Sequence, residues 1–163
     1  MKLNIGSGLT RIDGFTNIDS VQCTDSKGNK YTDIICDIEK EPLPFEDNSV
    51  DEIACYEVLE HLNNLIFAMN EMWRVLKPGG ILKGKVPGTW SGSVADPTHK
   101  RIFVPESFDY FTGVNRHNNF RPKRPVNADY GIRPWYKIKV NKRIEFILRP
   151  RKTREYSKVF EKL

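Results

Sequence analysis

"LNIGSGLTRIDGFTNID", residues 3–19, is the stretch on which the fold turns. A short apolar run ends in a glycine loop, and a second β-prone run ends in an acid, Asp19. Gly6 and Gly8 let a ligand come close to the backbone, because glycine has no Cβ and tolerates positive φ. An acid at the end of the next strand can accept hydrogen bonds from both hydroxyls of a ribose. The three residues therefore point to a nucleoside ligand, although the same glycines also serve in ordinary turns. The third glycine of a dinucleotide fingerprint is missing, since Leu9, Thr10 and Arg11 follow, which argues against NAD.

Working outward, Lys2–Ile5, Phe15–Ile18, Tyr31–Ile38 and Asp51–Tyr56 read as four strands separated by turn-rich text. Within Leu59–Leu76, apolar Leu62, Leu65, Ile66, Met69, Met72, Trp73 and Leu76 recur at helical spacing, and Lys77, Pro78, Gly79 and Gly80 stop the helix. A strand from Ile81 follows, so the run of strand, crossover and strand predicts a parallel sheet. Polar, Gly-rich and Pro-rich text after Val86 reads as a loop, and "PESFDYF" from Pro105 as a short helix. Trp135–Val140 and Arg143–Leu148, turned by Asn141 and Lys142, predict a closing hairpin. The expected fold is α/β: one domain over 1–163 with a Rossmann-like, mostly parallel sheet and a C-terminal antiparallel β-hairpin. Residues 1–88 form the cofactor-binding core, and 89–163 a substrate loop, short helix and hairpin.

Too few residues separate Gly8 from Phe15, and Asp19 from Tyr31, for ordinary helical crossovers. Helices on one face of the sheet should be reduced. The strands agree, because they alternate: Leu3 and Ile5 against Asn4, Leu82 and Val86 against Lys83 and Lys85. Such a face is polar and solvated, or is covered by a second subunit or by the C-terminal segment, so a homodimer through it is one expectation.

Composition narrows the class. Nothing approaches a membrane span or an apolar leader, which predicts a cytoplasmic protein. Cys23, Cys36 and Cys55 fall singly, suggesting neither a disulfide framework nor a zinc site, and no metal is expected. Residues 1–99 hold 9 Lys and Arg against 15 Asp and Glu, whereas residues 100–163 hold 17 against 6. The basic second half fits either an anionic partner or a merely solvated face.

"LPFEDNSVDEIACYEVLEHL" and "EMWRVLKPGGIL", in this order after the glycine loop, resemble the class I S-adenosylmethionine-dependent methyltransferases, in the branch carrying "VLEH" and "RVLKPGG". The resemblance covers about residues 3–88, and "DPTHKRIFVPESFDYF" is similar to a segment that follows the fifth strand in some small members. It implies S-adenosylmethionine as cofactor. "NIGSG" corresponds to the family's first motif, so Gly6, Ser7 and Gly8 face the methionine part, and Asn4 stands where an acid usually begins that motif. Asp19 takes the ribose role, Asp37 and Ile38 the adenine role, and Tyr56 and Glu57 border the methyl group.

His61 is the candidate base or substrate ligand, against the alternative of a capping or packing residue. His99 and Arg101, with Asp96, form a candidate substrate gate, and Tyr110 a candidate substrate wall, or else a salt-bridged loop and core. His117 has no assigned role. The place where base-methylating members carry NPPY or DPPY reads "CYEV", which disfavours a nucleobase amino group and leaves a small-molecule acceptor. Two other functions stay open: a non-catalytic S-adenosylmethionine or nucleoside-binding module, and a nucleic-acid-binding protein using its basic C-terminal segment.

Overall fold

The computed structural model describes residues 1–89, 94–112 and 131–152. Seven strands form one sheet in the order β3-β2-β1-β4-β5-β7-β6. They are β1 (Lys2–Ile5), β2 (Thr16–Asp19), β3 (Ile34–Ile35), β4 (Val50–Tyr56), β5 (Leu76–Lys85), β6 (Trp135–Val140) and β7 (Glu145–Pro150). The first five run parallel; β7 pairs antiparallel with β5, and β6 lies outside it. This is a Rossmann-like sheet with the expected closing hairpin.

Register puts alternate side chains on two unlike faces. Leu3 stands beside Ile53, Leu82 beside both Ile53 and Leu148, and all four are fully buried. The helix α1 (Leu65–Val75) supplies Ala68, Met69, Met72 and Val75 to the same core. On the other face Lys2 and Lys83 both pair with Glu52, and both ammonium groups sit over the Phe15 ring. Among the described residues no helix lies between β1 and β2, β2 and β3, or β3 and β4, so the expected thinning of helices holds.

Buried Asn17 explains how a short crossover survives without a helix. Its carbonyl oxygen accepts from Asn4 Nδ2 at 2.9 Å and from the Ile12 amide at 3.1 Å. Its amide donates to the Phe15 carbonyl and to Asp33, whose carboxylate is also bridged to Arg11 at 2.8 Å. One side chain thus satisfies the loop that a helix would otherwise organise.

Four boundaries differ from the reading of the sequence. The third strand shrinks to Ile34–Ile35, because the Asp33 carboxylate takes the Asn17 amide and Thr32 turns its hydroxyl to the Val21 carbonyl. The helix begins at Leu65 rather than near Leu59, since the Glu39 carboxylate accepts the amides of Asn63 and Asn64 and Asn64 caps the first turn. Strand β5 begins at Leu76, directly off the helix: Leu76 pairs with Val50 and Ile81 with Glu52, so Lys77–Gly80 bulge out between two paired points instead of ending the element. The hairpin loop is also longer, running from Asn141 to Ile144, whose φ is 55°, with Asn141 Oδ1 accepting the amides of Arg143 and Glu145.

Candidate active site at the carboxyl ends of the strands

Strand β1 ends in a turn that only glycine suits. Gly6 has φ +67°, and a Cβ there would lie 2.2 Å from Val58 Cγ2. The amides of Gly6 and Ser7 both bond the Ile18 carbonyl, at 2.8 and 3.0 Å, folding the loop over the end of β2. Gly8 donates to Asp19 Oδ2 at 2.8 Å, so the glycine turn and the acid are one unit.

A cavity of about 350 Å³ opens beside that unit, lined in part by Gly6, Asp19, Asp37, Ile38, Glu57 and His61. These six are residues singled out in the sequence, and they come from the ends of β1, β2 and β4 and the turns after β3 and β4. Asp37 is ionised: Lys40, 2.6 Å away, holds its carboxyl below the usual range. Glu57 sits at φ 55°, a conformation rare for a side chain other than glycine, and is paired with Lys85 at 2.9 Å.

Other expected residues lie elsewhere. Asn4 is turned to the polar face, bonded to Asn17 and to the Thr10 carbonyl, and does not line the cavity. Tyr56 also points to that face, where it borders a separate depression with Lys83 and Lys85. Alternation along a strand explains both, since each precedes by one residue a side chain on the opposite face. Buried Ser7 flanks the turn with its hydroxyl unbonded. Tyr110 is exposed on α2 (Asp109–Thr112), which continues a 3-10 turn from Pro105, as the predicted short helix. His117 falls outside the described residues.

The loop Asp96–Arg101 closes against the cavity rim. Thr98 Oγ1 lies 3.1 Å from His61 Nδ1, the His61 and His99 rings meet edge to face at 4.7 Å, and the Lys100 amide bonds the Glu60 carbonyl at 2.8 Å. Arg101 reaches the Asn63 carbonyl at 3.3 Å. Glu60 is the residue sequence reasoning missed here. It is 1% exposed, neither carboxylate oxygen makes a hydrogen bond, and burial, followed by neighbouring Glu57, pushes its carboxyl above the ordinary range. Its ligand atoms and those of His61 and His99 all lie within 4.8 Å of one another. Cys36, Glu39 and Leu62 line the cavity as well, with no signal in the sequence beyond their closeness to Asp37 and His61.

Residues 5–83 match the family model described as a methyltransferase domain. No curated protein matches the chain. Among solved structures, a phosphoethanolamine N-methyltransferase of Haemonchus contortus, in complex with phosphoethanolamine and S-adenosylhomocysteine, aligns with TM-score 0.58 at 12% identity, over 94% of this chain and 39% of that one. The chain therefore spans well under two thirds of that enzyme's length. An S-adenosylmethionine-dependent methyltransferase of Thermotoga maritima gives TM-score 0.56 at 15% identity, over 93% of this chain and 82% of that one. A protein of Methanococcus maripaludis, described as a methyltransferase of the same dependence, gives 0.54 at 16% identity, over 94% and 78%. The sheet order, the glycine turn and the family match agree: residues 5–83 match a methyltransferase domain, and the chain has the Rossmann-like fold of the S-adenosylmethionine-dependent methyltransferases it aligns with.

Proposed function

We propose that the chain transfers a methyl group from S-adenosylmethionine to a small-molecule acceptor. One observation carries the reading: the Gly6–Gly8 turn, Asp19, and Asp37 with Ile38 line or flank a single cavity at the carboxyl ends of parallel strands. That is where an open α/β sheet binds its ligand.

Each residue has a task that follows from its chemistry. Asp19 Oδ2 is held by the Gly8 amide, while Oδ1 has only two long contacts, 3.4 Å each, to Ser20 Oγ and the Val21 amide. That oxygen is the one suited to ribose hydroxyls. Asp37 accepts from the adenine amino group and Ile38 packs on the ring. When bound, the sulfonium supplies a methyl group open to in-line displacement. Glu57 and His61 lie on the wall that the acceptor would approach, and His61 is the candidate base. Proximity and alignment account for most of such a rate enhancement, and a base adds to it for weakly acidic acceptors.

Methyl release measured over a panel of small acceptors tests the assignment, with S-adenosylhomocysteine as the product followed. Turnover on at least one acceptor, reduced on substitution of Glu57 or His61, is the expected result. Cofactor binding with no turnover on any acceptor class would favour a non-catalytic binding module. Salt-dependent nucleic-acid binding without cofactor affinity would favour a nucleic-acid-binding protein working through its basic half.

A further inference from the structure

We propose that Glu60, His61 and His99 form a site for a divalent transition metal, of the zinc class, at the acceptor side of the cavity. The sequence predicts no metal, since its three cysteines fall singly and without ligand spacing; the donors here are instead a glutamate and two histidines on two loops far apart in the chain. The fold brings them together: one ligand atom from each lies within 4.8 Å of the other two. A tetrahedral zinc ion spaces its nitrogen and oxygen ligands about 3.3 Å apart, so side-chain rotation of roughly an ångström closes the set.

Two observations point to a ligand here independently of that clustering. The first is Glu60 itself, a side chain 1% exposed whose two carboxylate oxygens have no hydrogen-bond partner. A buried carboxylate left without a donor is costly, and a coordinated cation removes the cost. The second is the way His61 is held. Asp96 Oδ1 accepts from the Thr98 hydroxyl at 2.7 Å, so the hydroxyl oxygen in turn accepts from His61 Nδ1 at 3.1 Å. That network places the proton on Nδ1 and leaves the lone pair on Nε2, the nitrogen 4.0 Å from Glu60 Oε1. A histidine oriented through its other nitrogen by a hydroxyl and a carboxylate is the arrangement that supports metal ligands. His99 completes the set from the same loop, its Nε2 3.6 Å from Asp96 Oδ2.

Two nitrogens and one oxygen suit zinc, iron(II), cobalt or nickel better than magnesium, and three protein ligands leave a position open. His61 also lines the cavity, so an acceptor bearing an oxygen or nitrogen donor could take the open position. That use in methyl transfer rests on the function proposed above, whereas the metal site does not.

The test uses the full chain, freed of metal and titrated with zinc against a chromophoric chelator, and separately with cobalt to read its ligand-field spectrum. Expected are one bound equivalent, a tetrahedral or five-coordinate cobalt spectrum, and at least a tenfold loss of affinity in Glu60→Gln, His61→Ala and His99→Ala. Zinc should raise the thermal midpoint of the wild type and leave that of Glu60→Gln in place, which separates lost binding from lost folding. No stoichiometric binding, or binding that survives all three substitutions, overturns the proposal. S-adenosylhomocysteine titrated into the same samples reads the methyltransferase assignment on its own: its failure with the zinc results intact would sink that assignment and spare the metal site.

Discussion

Gly6 shows how tightly one residue is determined. Its φ of +67° excludes most side chains, and Val58 occupies the space that a Cβ would need. Gly6→Ala should cost roughly 2–4 kcal/mol, the sum of a left-handed alanine and an overpacked contact. Adding Val58→Ala should return only the contact part, measured by urea unfolding. The sequence made this residue legible through the motifs that follow it, since a glycine pair alone also serves in ordinary turns. Asn4 and Tyr56 were legible as strand residues but not as to facing, because a resemblance carries position and not the side of the sheet. Glu60 was legible only as a letter of "VLEH": its meaning comes from burial beside a loop forty residues on, where the Lys100 amide bonds its carbonyl.

At the level of the element, the β1–β2 crossover holds its shape through Asn17 rather than through a helix. Asn17→Ala would leave Asn4 Nδ2 and the Ile12 amide without an acceptor they now have. A loss of at least about 2 kcal/mol follows from stranding two partly buried donors, again read by denaturant unfolding. The junction of β4 with the Lys77–Gly80 bulge carries a pH dependence. Lys77, and then the Met1 amino group, hold exposed Asp51 down from 3.8 to about 2. The depressed value means that the ion pair stabilises the fold above about pH 4 and is lost as pH falls toward 2. Thermal midpoints of wild type and Asp51→Asn should therefore differ at pH 6 and converge near pH 2. The bulge was illegible for a physical reason: Pro and Gly ordinarily end elements, and only the pairing of Leu76 with Val50 shows the strand already under way.

For the molecule as a whole, the alternation predicts one poorly covered face, and that face is polar and paired within itself. Lys2 and Lys83 both pair with Glu52 there, and Asn4, Asn17, Asp33 and Arg11 are bonded among themselves. Groups already satisfied in this way gain little from a partner, and stable subunit interfaces are more apolar. Sedimentation at micromolar concentration should return a monomer, and a stable dimer that charge reversal at Lys83 disrupts would contradict this. Among the described residues no helix is long and apolar enough to cross a membrane. The parallel sheet, the closing hairpin and the one apolar face followed from periodicity and crossover lengths, whereas the order of the strands came only with the fold. Much of the basic half, at 113–130 and 153–163, lies outside the described residues.

The proposed activity requires the glycine turn and the carboxylate of Asp19 to serve one adenosyl ligand. Calorimetric titration of S-adenosylhomocysteine into the wild type and Asp19→Ala tests this most directly. Single-site binding that weakens by about 1–3 kcal/mol in the variant, the cost of unpaired ribose hydroxyls, is the expected result. An absence of heat with the folded wild type, or the same dissociation constant for both proteins, would contradict it.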